Sequence, residues 1–422
     1  MAIPTLAQAT KIWAKIGLLS FGGPAGQIAL MHRELVETRD WLSEREFLNA
    51  LNFCMLLPGP EAMQLATYSG WKMHGEKGGL IAGLLFVIPG AIVILALSVT
   101  YAIFGKVPLV EAAFLGIKAA VLAIVLEALF KVSKRAAKTA NFLWIAAAAF
   151  IALFFFAIPF PLVILVAAIV GALQSGHNKP QEYIETDVVS WQKTATTAIK
   201  WLIIWLAPLT LLIAISGPDD LMVSIGLFFS KLAVVTFGGA YAVLAYMAQQ
   251  AVENFNWLTA TEMIDGLGLA ETTPGPLILV TQFVGFKAGL QEGYGAAFAA
   301  SAITLWVTFA PCFLWIFTGA PYIEKLGRMP KISAALGAIT AAVVGVIANL
   351  TVWFGLHVLF ANLVPQTLGP ATFLWPQWAS INLTALALAT LAGVLLLKLH
   401  WGLFKTLSLC GALGVAAKLI AF

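Results

Sequence analysis

Two stretches of this chain, Gly79–Gly105 and Ile145–Gly176, contain no charged residue. Each exceeds the length, about 18 residues, at which an apolar run reads as a membrane-crossing helix. This feature constrains the fold more than any other. In hydrocarbon every backbone N–H and C=O must find its partner inside the protein, and a continuous apolar run does so as a helix. Composition agrees, with 61% hydrophobic and 10% charged residues, where a soluble domain is about a quarter charged. Fourteen tryptophans and 28 phenylalanines suit a lipid-facing surface with aromatic interfaces. The chain is expected to be an all-α polytopic membrane protein. Met1–Ala14 shows no signal-peptide pattern.

The net charge of +4 does not point to nucleic acid, because the basic residues gather in short loops between apolar segments. Cys54, Cys312 and Cys410 lie far apart, with no metal or disulfide spacing. The five histidines are equally scattered, and no metalloprotease, Walker or GxSxG motif occurs in a usable context. No catalytic residues, metal or cofactor are expected.

The chain also repeats itself. With a constant shift of 216 residues, Lys15–Pro60 aligns with Lys231–Pro276, and fifteen of 46 positions are identical. The identities include Lys15/Lys231, Phe21-Gly22-Gly23/Phe237-Gly238-Gly239, Trp41-Leu42/Trp257-Leu258 and Pro58-Gly59-Pro60/Pro274-Gly275-Pro276. Chance apolar similarity would not keep Gly, Pro and Trp in register. Gly116–Leu129 likewise resembles Gly337–Leu350.

Lys and Arg counts reverse between the copies. His32–Arg45 holds Arg33, Arg39 and Arg45, whereas Ala248–Thr261 holds none. Lys131–Lys138 holds four basic residues against none in Thr351–Trp378, and Ala320–Ser333 holds three against one in Phe104–Glu111. By the positive-inside rule the two copies cross the membrane in opposite senses, an arrangement typical of secondary transporters. The expected organisation is a first repeat at 1–176, a linker with one extra spanning helix at 177–216, and an inverted second repeat at 217–422.

Phe-Gly-Gly and Pro-Gly-Pro interrupt two apolar stretches in each repeat. Proline lacks an amide donor and clashes with the preceding turn, so Pro-Gly-Pro ends one helix and starts another. The flanking pieces are too short to cross roughly 30 Å of hydrocarbon. Gln8–Thr38, Ser43–His74, Met222–Asn254 and Thr259–Leu290 therefore read as re-entrant helical hairpins, with continuous kinked crossings as the alternative. Ser43–Glu46 and Thr259–Glu262 have the pattern of capping boxes. Ordinary spanning segments are expected near 79–103, 109–130, 141–158, 160–176, 201–216, 295–317, 333–352, 380–397 and 401–420.

Helices that begin within the membrane present free amides and a positive dipole end. Four such ends could hold an anion without burying a cation. The candidate substrate-binding residues are Lys15, Phe21, Gly22, Gly23, Pro58, Gly59 and Pro60, with Lys231, Phe237, Gly238, Gly239, Pro274, Gly275 and Pro276 in the second repeat. Lys15 and Lys231 are read as anion-attracting, with snorkelling to an interface as the plain alternative. Glu61 and Glu271 are the candidate proton-coupling groups. Glu61 could equally be a helix cap, and Glu271 aligns with Met55, so the two are not repeat partners. Lys118 is a weaker candidate. Gln64, Gln282, Asn49, Asn52, Thr272 and Thr273 could bond near the breaks, although such residues more often join helices.

These motifs resemble the chromate ion transporter family. The resemblance rests on Ser20-Phe21-Gly22-Gly23-Pro24, on Arg39-Asp40-Trp41-Leu42-Ser43 with Glu46-Phe47, and on Leu57-Pro58-Gly59-Pro60. It continues through Gly70-Trp71-Lys72, Gly75, Gly78-Gly79 and Pro89. The second repeat is looser, with Ala240 after Phe-Gly-Gly and no arginine in its loop. The likeness is to the two-domain, long-chain form. It implies export of chromate across the bacterial inner membrane, powered by the proton-motive force. Expected partners are a small oxyanion, the lipid bilayer and protons as coupling ion, and the reading is compatible with a homodimer. Sulfate or another oxyanion, an anion channel, and a membrane scaffold or enzyme are the rival readings.

Overall fold

A computed structural model describes residues 4–21, 23–137, 141–174, 190–237, 240–323 and 329–420, with the side chains of 135 and 242 left aside. The candidate residues Gly22, Gly238 and Gly239 lie outside the described residues, as do Lys138, Lys325, Arg328 and most of the polar linker.

The chain opens with α1 (Leu6–Leu18) and α2 (Gly23–His32), the latter extended by a π turn at Arg33–Glu37. Next come α3 (Glu44–Leu56), α4 (Glu61–Phe104) and α5 (Pro108–Ala136). Then follow α6 (Phe142–Phe154), α7 (Phe160–Gln174), α8 (Trp191–Ser216), α9 (Leu221–Val235) and α10 (Ala240–Gln249). Further along the described residues come α11 (Ala260–Thr272), α12 (Val280–Gly289), α13 (Tyr294–Gly319), α14 (Pro330–Leu359), α15 (Leu383–Gly393) and α16 (Leu403–Ile420). Among the described residues six helices are long and apolar enough to cross a membrane, and α4 is the longest of them. The protein is an all-α, multi-pass membrane protein.

Local sequence chemistry sets many of the helix ends. Ser43 accepts from the Glu46 amide while Glu46 accepts from the Ser43 amide, so the expected capping box starts α3. Thr259 and Glu262 make the same reciprocal pair before α11. Each box satisfies two amides that a helix start leaves without partners. Inside α4, His74 (φ −138°) and Gly75 (φ +60°) leave helical geometry, at the end expected for the Ser43–His74 segment. One element was not anticipated. Strands β1 (Leu363–Leu368) and β2 (Ala371–Pro376) pair antiparallel around Gly369-Pro370 in the loop after α14. β-Branched and aromatic residues flanking a Gly-Pro turn favour such a hairpin.

The helices form two compact units. The first contains Met1–Ala96, Ser175–Ala240 and Thr273–Ser333; the second contains Leu97–Gln174, Tyr241–Thr272 and Ala334–Phe422. Each unit thus takes segments from both sequence repeats. In the first, α13 packs against α8, α9 and α12. Small residues carry these contacts: Gly285 lies against Thr304, Gly289 against the Ala296 carbonyl, and Gly83 of α4 against Phe313. In the second, α5 packs against α11, α15 and α16, with Gly116 on the Cys410 carbonyl and Gly414 on the Ala112 carbonyl. Lipid tails offer helices no hydrophobic drive to associate, so close backbone approach supplies the contact energy.

Candidate substrate-binding site

The first unit holds the described residues of all four motifs. α1 ends at Leu18 and α2 begins at Gly23; α3 ends at Leu56 and α4 begins at Glu61. In the second repeat α9 ends at Val235 and α10 begins at Ala240, while α11 ends at Thr272 and the chain resumes helical form at Leu277. Gly59 (φ +118°) and Gly275 (φ +87°) adopt left-handed backbone that side chains resist.

The local bonding repeats with the sequence. Ser20 Oγ donates to the Ile16 carbonyl, and Thr236 Oγ1 donates to the Leu232 carbonyl. The Phe21 amide donates to the Leu19 carbonyl, and the Phe237 amide donates to the Val235 carbonyl. The breaks then bond crosswise between repeats. The Gly59 amide donates to the Thr236 carbonyl at 2.8 Å, and the Gly275 amide donates to the Ser20 carbonyl at 2.9 Å. Every residue in the second bond is its counterpart in the first, shifted by 216. The motifs are therefore brought together as two crosswise pairs.

These bonds occupy the Gly59 and Gly275 amides, which sequence reasoning had offered as anion donors. The helices that follow open at Glu61 and, in the second repeat, at Leu277, and a helix start leaves its first-turn amides without internal acceptors. Two glutamines buttress the breaks. Gln27 Nε2 donates to the Gly275 carbonyl at 2.6 Å and the Ser20 carbonyl at 3.2 Å. Gln64 Nε2 donates to the Pro58 carbonyl at 2.7 Å. Both side chains are buried, and neither Oε1 has a hydrogen-bond partner. The sequence marks Gln64 only as a residue able to bond near the breaks and gives no sign of Gln27, whose repeat counterpart is Val243.

Lys15 sits in the last turn of α1, with its ammonium 2.8 Å from Glu34. Glu34 also meets Arg39 at 2.5 Å. Burial pushes the Glu34 carboxyl up, but the Lys15 hydrogen bond and the charges of Arg39 and Lys15 outweigh it and hold the group below the usual carboxylate range. Lys231 is an exposed residue of α9. Phe21 is exposed, and Pro58, Pro60, Pro274 and Pro276 are buried. Glu61 is the first residue of α4. Glu271 is buried in the second unit, where Tyr241 donates to its Oε1 at 2.6 Å. Gln282 bonds Ser301, whereas Asn49 and Asn52 are exposed and take no part in the breaks.

The second unit contains a charged cluster that sequence reasoning did not assemble. Lys118 of α5 lies 3.5 Å from Asp265 of α11, and Tyr101 of α4 donates to Asp265 at 2.7 Å. Lys118 was a lone candidate in the sequence, and Asp265 was not singled out.

The family model described as chromate transporter matches this chain twice, over residues 7–172 and 223–415. The chain belongs to the chromate transporter family. Among relatives, a probable chromate transport protein of Synechococcus elongatus is 32% identical over 83% of this chain and 85% of its own length. A chromate transport protein of Cupriavidus metallidurans is 30% identical over 82% of each chain. An uncharacterised transporter of Methanocaldococcus jannaschii is 25% identical over 82% of this chain and 83% of its own. No solved structure matches. The two segments of the family match enclose the two sequence repeats, with the extra helix α8 between them.

Proposed function

We propose that this protein is a secondary transporter that exports chromate across the bacterial inner membrane, driven by the proton-motive force. Membership of the chromate transporter family and two relatives named as chromate transport proteins, one of them as probable, support the substrate. The observation that carries the site is the crosswise pair of bonds, Gly59 to Thr236 and Gly275 to Ser20. Identical bonding at positions 216 apart supports two inverted repeats whose broken helices enclose one site on a pseudo-two-fold axis.

In this reading the substrate-binding groups are the helix starts after the Phe-Gly-Gly and Pro-Gly-Pro breaks. Their dipole ends and first-turn amides donate to a tetrahedral dianion. Each end contributes about 0.3–1 kcal/mol, rising to roughly 2 when partly buried. Lys15 and Lys231 draw the ion in, and Glu61 and Glu271 are the coupling candidates read from sequence. Voltage favours export. With the inside negative, expelling a dianion gains about 4–5 kcal/mol per 100 mV, because each charge contributes about 2.3.

Counterflow in proteoliposomes tests this reading. Chromate trapped inside should drive uptake of labelled chromate, and external sulfate should serve less well. Sulfate counterflow exceeding that of chromate would reassign the substrate. Large single-channel currents would replace the transporter with an anion channel.

A further inference from the structure

Asp265 lies on a stretch of α11 whose neighbours Met263, Ile264, Leu267 and Ala270 are all buried apolar residues. Its side chain is 4% exposed and that of Lys118 is 16% exposed. The lysines of Lys15–Glu34 and Lys72–Glu46 are by contrast nearly half exposed. A charge at such a place is costly and marks function by default.

The bonding around Asp265 is incomplete. Oδ2 accepts one hydrogen bond from Tyr101, while Oδ1 makes none and stands 3.5 Å from the Lys118 ammonium. A well-formed ammonium–carboxylate hydrogen bond is about 2.7–2.9 Å. A buried ion pair offsets its desolvation only when its geometry is good and its other lone pairs are satisfied. Asp265 meets neither condition fully, so its buried charge is incompletely compensated where it stands. The charged and titratable groups around it are Tyr101 from α4, Lys118 from α5 and Glu262 one turn earlier on α11, with Glu111 of α5 acting on Tyr101. From α16, which packs on α5 and α11, comes the buried Cys410 thiol, while Lys405 and Lys418 of that helix are exposed.

The geometry points to Asp265 as the proton-exchange site of the transport cycle, with Lys118 and Tyr101 holding it ionised in one state and releasing it in another. This rests on the proton-driven transport proposed above. With Asp265 ionised, Lys118 is neutralised and α5 and α11 stay packed. A proton on Asp265 leaves Lys118 an unmatched buried cation, which favours a second packing that returns the ammonium to water. α11 ends at Thr272, and Thr273 joins it to Pro274-Gly275-Pro276, so the chain itself links such a shift to the break whose Gly275 amide bonds Ser20. The anion-carrying step is then made with Asp265 ionised, and the empty return step with Asp265 protonated, which exchanges a proton for the exported ion. The repeat counterpart of Asp265 is Asn49, which cannot titrate and is exposed, so the exchange site is single.

Chromate flux in proteoliposomes under a pH gradient at zero membrane potential tests the assignment. Asp265→Asn should lose the response to the gradient. Tyr101→Phe removes a hydrogen bond to the ionised form, and Lys118→Gln removes its counter-charge, so both should move the pH midpoint of flux upward. An Asp265→Asn protein that keeps the gradient response while Glu61→Gln loses it would overturn the assignment. Should Asp265→Asn not elute as a folded protein, an unshifted Tyr101→Phe profile overturns it instead. Infrared difference spectroscopy of the substrate-free protein separates this idea from the substrate reading. A protonated-carboxyl band lost in Asp265→Asn supports the proton site even if wild-type protein carries no chromate, and its persistence in the variant refutes the site.

Discussion

Replacing Gly59 or Gly275 with alanine should weaken chromate binding in proportion to the backbone strain it introduces. At Gly59 the φ of +118° is strained for any side chain, and the new methyl would lie 2.9 Å from Gln64 Nε2 and 3.0 Å from Cys312 Sγ. At Gly275 the φ is +87°, and the methyl would lie 3.1 Å from Leu279 Cδ1 and 3.3 Å from the Phe86 carbonyl oxygen. The Gln64 and Leu279 ends can move, but the Phe86 carbonyl is fixed in α4. Holding a non-glycine residue in such backbone costs about 1–3 kcal/mol. If relaxation breaks the bonds to Thr236 or Ser20, only the strained minority binds, and the apparent Kd rises by about 5- to 150-fold. Gly293→Ala is the control. Its φ is +107°, yet nothing lies within 4 Å of the added methyl and it caps α13 away from the breaks. It should lower Tm through similar strain while leaving Kd unchanged. Isothermal titration with chromate on purified protein, with Tm measured alongside, makes the comparison. Wild-type affinity in folded Gly59→Ala and Gly275→Ala would refute the reasoning, as would a Kd increase of the same size in Gly293→Ala.

Lys15→Gln and Lys231→Gln should each weaken chromate affinity without unfolding the protein, since Glu34 keeps Arg39 as its partner when Lys15 is lost; unchanged Kd in both would remove the lysines from the site. His32 is the last residue of α2, 2.7 Å from Glu44 and 3.0 Å from Glu37. The Glu44 hydrogen bond raises its pKa above the ordinary 6.5, against a smaller opposing effect of burial. The stability this adds is complete below the unfolded value and is lost as pH rises through the folded one. Tm of wild type should therefore fall more than that of His32→Gln between weakly acidic and alkaline pH, and parallel curves would deny the linkage. Single cysteines at Arg39 and Asn254 should label from the cytoplasmic and periplasmic sides respectively; labelling from one side would end the inverted-repeat reading.

Much of the fold was legible because it is written locally. Charge-free runs locate helices from composition alone: all nine expected ordinary segments have a helix within or around them, but only six of those helices are long enough to cross a membrane, those at 141–158, 160–176 and 380–397 being shorter. The Ser43 and Thr259 boxes depend on residues three apart, so they could be read directly. The positions where helices stop at Leu18, Leu56, Val235 and Thr272 follow from Gly and Pro chemistry in the same way. α8 begins at Trp191, earlier than the apolar run suggested, because polar Gln192, Lys193 and Thr194 extend the helix without adding hydropathy.

What the sequence by itself determined is therefore the membrane setting, the helices, the repeat and the places where the backbone breaks. Tertiary structure alone decided which break faces which. A 216-residue periodicity relates Ser20 to Thr236 and Gly59 to Gly275, but it cannot say that Ser20 meets Gly275 rather than Gly59. Gln27 buttresses a break 248 residues away. Asp265 finds Lys118 and Tyr101 only because Gly268 lets α11 lie close against Ile117 of α5. The physical reason is common to all three. Helix propensity, capping and hydropathy act over a few neighbouring residues. A buried polar group must instead find its partner on whichever helix small residues allow to approach, and that choice belongs to the packing of the whole chain.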